Sequence, residues 1–125
     1  MSTENKNLEN PRTLAEEITK ILDSKKANGI KLLRIDDKTV LADYFVICGG
    51  NTNTQVRAIA GEVEEKLEEM GLTPHHIEGY NEAVWTVLDY SSVIVHIFNR
   101  EARDFYKLEK LWSDAEDIDI SSLLV

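Results

Sequence analysis

Apolar residues recur at two different spacings along the chain, and the alternation between them predicts the order of its elements. A spacing of three or four, typical of helices, begins after Thr13 and recurs over residues 54–70 and 100–112. Short apolar or alternating runs, typical of strands, fall at residues 30–35, 43–48, 75–79, 84–89 and 92–98. The predicted order is therefore α-β-β-α-β-β-β-α.

Capping signals mark the ends of the first two predicted helices. Thr13 with Glu16 three residues later forms a capping-box pattern, so Thr13 is predicted to be the N-cap of the first helix. Gly29 is predicted to end that helix, and Gly71 to end the second one. Gly49-Gly50 interrupts the apolar run that precedes the second helix.

Apolar residues at the two ends of the chain follow neither a helical nor a strand spacing. Residues 1–11 are polar and are predicted to form a flexible leader, and residues 114–125 are predicted to form an acidic, partly ordered tail. Residues 12–113 are left as a single domain. Because strands and helices mix without regular βαβ alternation, the expected fold class is α/β (α+β), a mixed sheet of about five strands with helices packed on it.

Charge limits the class of partner. Fourteen Lys and Arg residues against 23 Asp and Glu residues give a net charge of −9. Nucleic-acid binding depends on cations that displace counterions, so we expect no direct nucleic-acid readout and favour a basic protein partner. The single cysteine, the absence of a secretory signal and the lack of a long apolar run predict a cytoplasmic protein without membrane attachment.

Glu62 and Glu64 are the strongest candidates for catalysis. A strand, a Gly-Gly turn and two acids separated by one residue are typical of nucleotidyltransferases. On a helix, however, residues two apart point about 200° apart, so these carboxylates cannot share a Mg²⁺ ion. A solvated helix face is the favoured interpretation.

The pattern of histidines and the single cysteine also indicates no metal-binding or catalytic site. His75 and His76 point to opposite faces of a strand, and His96 has no second ligand at metal-binding spacing. Cys48 ends an apolar strand, and no phosphate-binding loop of the Walker or dinucleotide type occurs. We therefore expect no catalytic residues, no metal and no cofactor, and do not expect an enzyme.

Aromatic and acidic residues concentrate near the last two predicted strands and the last helix. Trp85 and Asp89 share a strand face, and so do His96 and Phe98 on the next strand. Large aromatic residues beside acids are typical of protein interfaces. The residues of this region are Trp85, Asp89, Tyr90, His96, Phe98, Phe105, Tyr106 and Trp112.

Burial in the core is the alternative interpretation of these aromatic residues. For Phe45 and Phe105 we favour the core, since Phe is often fully buried. For Trp85 and Tyr90, which flank Asp89, both interpretations stay open.

Six blocks of the sequence resemble the ribosomal silencing factor family RsfS, also called the Iojap family. The resemblance covers about residues 12–114, and Gly49-Gly50 departs from the Ser-Gly that many members carry. The blocks are ADYFVICGGN at 42–51, QVRAIA at 55–60, IEGY at 77–80, WTVLDY at 85–90, VIVHIF at 93–98 and EARDFYKLEKLW at 101–112.

The resemblance implies a nucleotidyltransferase-like fold without catalytic acids and a function that needs no chemistry. Family members bind the large ribosomal subunit through its ribosomal protein fourteen and block joining of the small subunit, which represses translation. They are often homodimers when free of the ribosome. Asp43 and Gln55 match the family blocks but can also serve as caps. The partner-binding residues that the resemblance implies are Trp85, Asp89, Tyr90, His96, Phe98, Tyr106, Glu109 and Trp112.

Two other functions stay open on the sequence alone. A large-subunit assembly factor could use the same binding surface as a silencing factor. A nucleotide-binding or nucleotidyltransferase-like enzyme would need ATP or Mg²⁺ to bind and so to stabilise the folded state.

Overall fold

The computed structural model describes residues 7–125. The helices are α1 (Pro11–Ser24), α2 (Asn53–Glu69), α3 (Arg100–Tyr106) and α4 (Leu108–Leu111), followed by a short 3-10 helix at Ser121–Leu123. The strands are β1 (Asn28–Arg34), β2 (Tyr44–Gly50), β3 (His76–Glu78), β4 (Trp85–Asp89), β5 (Val93–Asn99) and β6 (Glu116–Ile118). None of the described helices is long and apolar enough to cross a membrane.

The six strands form one mixed sheet in the order β3-β4-β5-β2-β1-β6. Strands β2 and β5 are parallel, and every other neighbouring pair is antiparallel. Strand β2 is buried along its whole length, as its nearly unbroken apolar run requires of a strand that is covered on both faces. The predicted mixed sheet with packed helices is confirmed, with one more strand than the pattern predicts.

The two faces of the sheet are covered unequally. Helices α1 and α2 cover one face, here called the helical face, and bury a large apolar cluster that includes Leu22, Val46, Ile59 and Ile97. The other face, here called the open face, carries a smaller cluster under α3 and α4. On β4 the open face is only half-buried, so this part of the sheet remains accessible to a partner.

Helix α1 begins and ends earlier than predicted. Asn10, not Thr13, is its N-cap, since the Thr13 N–H donates to Asn10 Oδ1 at 3.0 Å. Pro11 takes the first helical position, where no N–H is needed. The predicted capping box is therefore wrong, and Glu16 instead pairs with Arg12 at 2.9 Å.

The predicted end of α1 at Gly29 is also wrong. The helix ends at Ser24, and Gly29 lies in β1 with a φ of 56°. This left-handed conformation suits a glycine, so the residue marks an irregularity at the start of a strand rather than a helix end.

The C-terminal region differs from the prediction in two places. The last helix is not continuous over residues 100–112, because Lys107 adopts a left-handed conformation that separates α3 from α4. Strand β6, which pairs with β1, lies in the segment expected to be a partly ordered tail. Three residues are too few to show a period in the sequence.

The expected leader is described only in part. Residues 1–6 lie outside the described residues. Within the rest, Leu8 packs against the apolar cluster of the helical face and Pro11 already belongs to α1.

Candidate functional site

A set of aromatic rings, here called the aromatic cluster, lies on the open face of the sheet. Strand register brings Trp85 opposite Phe98, and the two rings stack with centroids 4.9 Å apart. Tyr106 from α3 also contacts the indole, with the two ring centroids 4.8 Å apart. The members of the aromatic cluster are Phe45, Trp85, His96, Phe98, Phe105, Tyr106 and Trp112.

Helix α3 is held close to the end of β5 by its cap. Asn99, the last residue of β5, accepts a hydrogen bond from the N–H of Ala102 at 2.8 Å and so begins α3 without an intervening loop. The Asn99 amide also donates to Asn53 Oδ1, the first residue of α2, at 2.8 Å. These bonds fix the position from which α3 presents Tyr106 to Trp85.

Trp85 is oriented by a hydrogen bond to His96. Its indole Nε1–H donates to His96 Nδ1 at 3.1 Å. Because Nδ1 accepts, the proton of the neutral imidazole lies on Nε2, which is buried and has no hydrogen-bond partner among the described residues. Burial lowers the pKa of His96 to about 4, so the ring is neutral at physiological pH.

The outer edge of the aromatic cluster is exposed. Phe105 is 78% exposed and Tyr106 is 47% exposed, while Trp85 is half-buried. The expected core position of Phe105 is therefore wrong, because Ala102 and Leu108 supply the contacts of α3 and α4 with the sheet. Trp85, Phe105 and Tyr106, linked ring to ring, are here called the apolar patch.

Three of the eight predicted site residues lie beneath the surface. Phe98 is fully buried, His96 is 7% exposed and Tyr90 is 5% exposed, so none of them offers the surface anchor that the sequence suggests. Phe98 and His96 support Trp85 from below.

Tyr90 belongs to the helical face, not to the face of Trp85. It follows Asp89 by one residue, and consecutive residues of a strand alternate between faces. Its side chain joins the apolar cluster under α1 and α2, where its hydroxyl has no hydrogen-bond partner among the described residues. Burial, with Glu64 nearby, raises the pKa of Tyr90.

Trp112 and Asp89 are both half-buried, at different places on the open face. Trp112 is half-buried and packs edge-on against Phe45 at 5.3 Å. Asp89 is half-buried at the far end of β4, about 13 Å from Trp85 at the rise of a strand. Its Oδ1 accepts from the N–H of Ser91 at 2.7 Å and stabilises the turn into β5.

Glu109 has a structural partner within the chain. Its Oε2 accepts from Arg103 Nε at 3.0 Å, and its Oε1 is buried without a partner among the described residues. Arg103 also donates to the carbonyl oxygens of Asn28 and Gly29, so it ties α3 to the start of β1. A partner that binds Glu109 would have to compete with this ion pair.

The edge strand β3 adds two polar residues, His76 and Glu78, that are not among the predicted partner-binding residues. His76 lies opposite Asp89, and Glu78 lies opposite Val87, so both share the open face. His76 Nε2 and Glu78 Oε2 are 2.8 Å apart and exposed. The strand alternation of residues 76–78 is the signal by which they could have been predicted.

The side chains considered for catalysis lie in α2 and in β2. Glu62 and Glu64 both lie in the middle of α2, and Glu62 is 4.0 Å from Lys66 one turn away. Cys48 is fully buried, and burial raises the pKa of its thiol to about 12. Within residues 7–125, no three His, Cys, Asp or Glu side chains are grouped so that they could hold a metal ion.

Comparison with known proteins assigns the chain to a family. The family described as "Ribosomal silencing factor during starvation" matches residues 8–124. The "Ribosomal silencing factor RsfS" of Bacillus subtilis is 42% identical over 98 residues, which cover 78% of this chain and 83% of that protein. A crystal structure from Bacillus halodurans has a TM-score of 0.77 and 34% identity, and covers 86% of this chain and 98% of that one.

A more distant relative carries a different name. "Mitochondrial assembly of ribosomal large subunit protein 1" of Mus musculus is 26% identical over 99 residues, which are 77% of this chain and 43% of that protein. The family match spans nearly all described residues. The relative from Bacillus subtilis carries the name of the same family, and the solved structure from Bacillus halodurans has the same fold as this chain. The chain therefore belongs to the ribosomal silencing factor family.

Proposed function

We propose that this protein represses translation by binding ribosomal protein fourteen of the large subunit and occupying the surface that the small subunit needs. The observation that carries the proposal is the apolar patch on the open face, where Trp85, Phe105 and Tyr106 leave aromatic surface exposed. Such a group of rings on a chain of this family is a candidate contact for the ribosome.

Trp85 is proposed to be the central anchor of the interface. Tryptophan and tyrosine supply much of the binding energy at protein interfaces, because they bury a large area at a small cost in side-chain entropy. Trp85 is already held by Phe98, Tyr106 and the hydrogen bond to His96, so little orientational freedom remains to be lost on binding.

The charge of the chain favours a basic partner. Its net charge is −9, and the open face beside the aromatic cluster carries the carboxylates of Glu78 and Asp89. Ribosomal proteins are commonly basic, so long-range attraction should raise the association rate. Asp89 is proposed to meet a Lys or Arg of the partner, and Glu109 to do so only if it exchanges its pairing with Arg103.

The eight residues implied by the family resemblance receive different roles in this proposal. Trp85, Tyr106 and Trp112 make direct apolar contacts, and Asp89 and Glu109 make polar ones. Phe98 and His96 hold Trp85 in place, while Tyr90 supports the strands from the helical face.

Repression by a steric block needs no chemical reaction, because the bound protein only has to occupy space that the small subunit requires. An interface of standard size takes about 800 Å² from each partner. The accessible surface of the chain is 6990 Å², so such an interface leaves most of the surface of the bound protein uncovered, and this bulk is proposed to obstruct the small subunit.

The free protein is proposed to be cytoplasmic and to form a homodimer. The apolar patch supports the proposed homodimer, since exposed aromatic surface is commonly covered by a partner.

A role in large-subunit assembly is the second candidate function, favoured by the name of the mouse relative. It would use the same contact with the large subunit at an earlier time.

Co-sedimentation with purified ribosomal particles tests the proposal. The wild-type protein should pellet with large subunits and not with small subunits or joined ribosomes. Trp85→Ala and Asp89→Lys should each keep the fold and weaken binding to large subunits, whereas Glu65→Lys, the same charge reversal at an exposed position of α2, should bind normally. Unchanged binding by both site variants would contradict the proposed surface, and no pelleting with any particle would contradict the function.

A further inference from the structure

A polar cleft with an excess of positive charge opens at the carboxyl ends of the two parallel strands β2 and β5. It has a volume of about 460 Å³, and Gly49 and Asn99 near the ends of these strands contribute to its wall. Four cations line it against two carboxylates. They are Arg100, Arg103, Lys107 and Lys110, with Asp104 and Glu109 as the acids.

The two carboxylates of the cleft are already paired. Asp104 lies 3.4 Å from Lys107, and Glu109 lies 3.0 Å from Arg103. Arg100 and Lys110 have no carboxylate partner among the described residues, and both are exposed. The cleft therefore carries a net charge of +2 on a protein whose net charge is −9.

Arg103 is fixed in the wall of this cleft. Its guanidinium donates to Glu109 at 3.0 Å, to the Asn28 carbonyl at 3.2 Å and to the Gly29 carbonyl at 2.7 Å. A guanidinium has five N–H groups, so two remain for a ligand. Arg100 is similarly oriented, since its Nη2 donates to Asn51 Oδ1 at 3.0 Å.

The position of the cleft in the sheet is one that favours ligand binding. After β2 the chain turns to α2 on the helical face, and after β5 it turns to α3 on the open face. Where neighbouring parallel strands lead to opposite faces, a crevice forms outside their carboxyl ends, and ligands of open α/β sheets bind there. The volume falls in the range of small-molecule sites.

We propose that this cleft binds the phosphate groups of a nucleotide. Arg100 and Lys110 supply the unpaired positive charges, and Arg103 supplies oriented N–H donors. A small ligand touches only the cationic cleft, whereas an extended RNA backbone would also run along the strongly acidic surface outside it. This inference does not depend on the proposed contact with the ribosome.

Isothermal titration calorimetry with ATP, adenosine and an RNA hexamer lacking terminal phosphates tests this inference. ATP should bind with a Kd below about 1 mM, and adenosine at least about tenfold more weakly because the phosphates carry the contact. Arg100→Glu and Lys110→Glu should each weaken ATP binding about tenfold or more. Lys66→Glu, the same charge change near the other end of α2, should leave the affinity unchanged.

Three results would overturn the inference. ATP that fails to bind at about 10 mM would show that the cleft takes no nucleotide, and binding unaffected by both cleft variants would place the nucleotide elsewhere. Binding of the hexamer without binding of ATP would assign the cleft to an RNA backbone. Since Arg100 and Lys110 are both exposed, circular dichroism should show folded variants, and either one alone suffices for the comparison.

Discussion

Trp85 donates its indole N–H to His96, a histidine that burial keeps neutral. The bond joins neighbouring strands and sets the angle at which the indole meets solvent. It also determines which nitrogen of His96 carries the proton. A polar bond inside the aromatic cluster thus connects the stability of the fold to the shape of the proposed binding surface.

Trp85→Phe should reduce stability by about 1–2 kcal/mol, because it leaves His96 Nδ1 buried without a donor. Urea unfolding followed by circular dichroism measures this change. Trp112→Phe is the matched control, since the indole of Trp112 makes no hydrogen bond among the described residues and packs on Phe45 and the apolar cluster of the open face. Equal losses for the two variants would mean that the bond to His96 contributes nothing.

Stability should fall when the pH falls from about 6.5 to about 4, because His96 binds its proton more readily in the unfolded chain. Its pKa is lowered in the folded protein, so the contribution is complete above pH 6.5. The contribution lost by pH 4 is about 3 kcal/mol. Urea unfolding of the wild type and of His96→Phe across this range isolates the effect.

The comparison with His96→Phe removes the background from the many carboxylates. The difference in pH dependence between the two proteins should match the titration of one group. His75→Gln, at an exposed position outside the aromatic cluster, is the control for replacing a histidine as such. A wild-type curve parallel to that of His96→Phe would contradict the neutral, buried state of His96.

Phe105→Ala should change stability by less than about 0.5 kcal/mol, since the ring is largely exposed. It should nonetheless weaken binding to large subunits by about fivefold or more, because it removes part of the apolar patch. Leu41→Ala serves as control, since Leu41 is also exposed but precedes β2 at the opposite end of the sheet. Equal binding by Phe105→Ala and wild type would remove Phe105 from the interface.

Ile118→Ala should destabilise the fold by about 2–4 kcal/mol, because Ile118 is buried in the cluster of the helical face and lies opposite Leu32. Thermal and urea unfolding measure the loss. Leu124→Ala, which changes a partly exposed residue nearby in sequence, should have little effect. A loss below about 0.5 kcal/mol would mean that β6 is not part of the cooperative fold.

Periodicity predicts the elements of this fold better than it predicts their ends. The apolar stripe of α2 and the unbroken run of β2 each fix an element, because burial on one side or both dictates the pattern. The start of α1 was set by Asn10 and Pro11, a local signal that competes with Thr13. The three residues of β6 have no local signal and depend on pairing with β1.

The candidate site was predictable at Trp85 and Asp89, whose spacing places them on one strand face. The same rule separates Tyr90 from them, since it follows Asp89 directly. The extent to which each site residue is buried was not predictable, because the burial of Phe98, for example, depends on how α3 packs over β5. The cationic cleft could not be predicted from the sequence, because its charged residues lie in and between α3 and α4 and come close to the strand ends only in the folded chain.

Light scattering of purified small and large subunits directly measures their joining, which is the step that the bound protein is proposed to prevent. Wild-type protein at saturating concentration should suppress the rise in scattering, and Trp85→Ala should restore it at the same concentration. Normal joining in the presence of large subunits saturated with wild-type protein would contradict the proposed steric block, whatever the affinity of that binding.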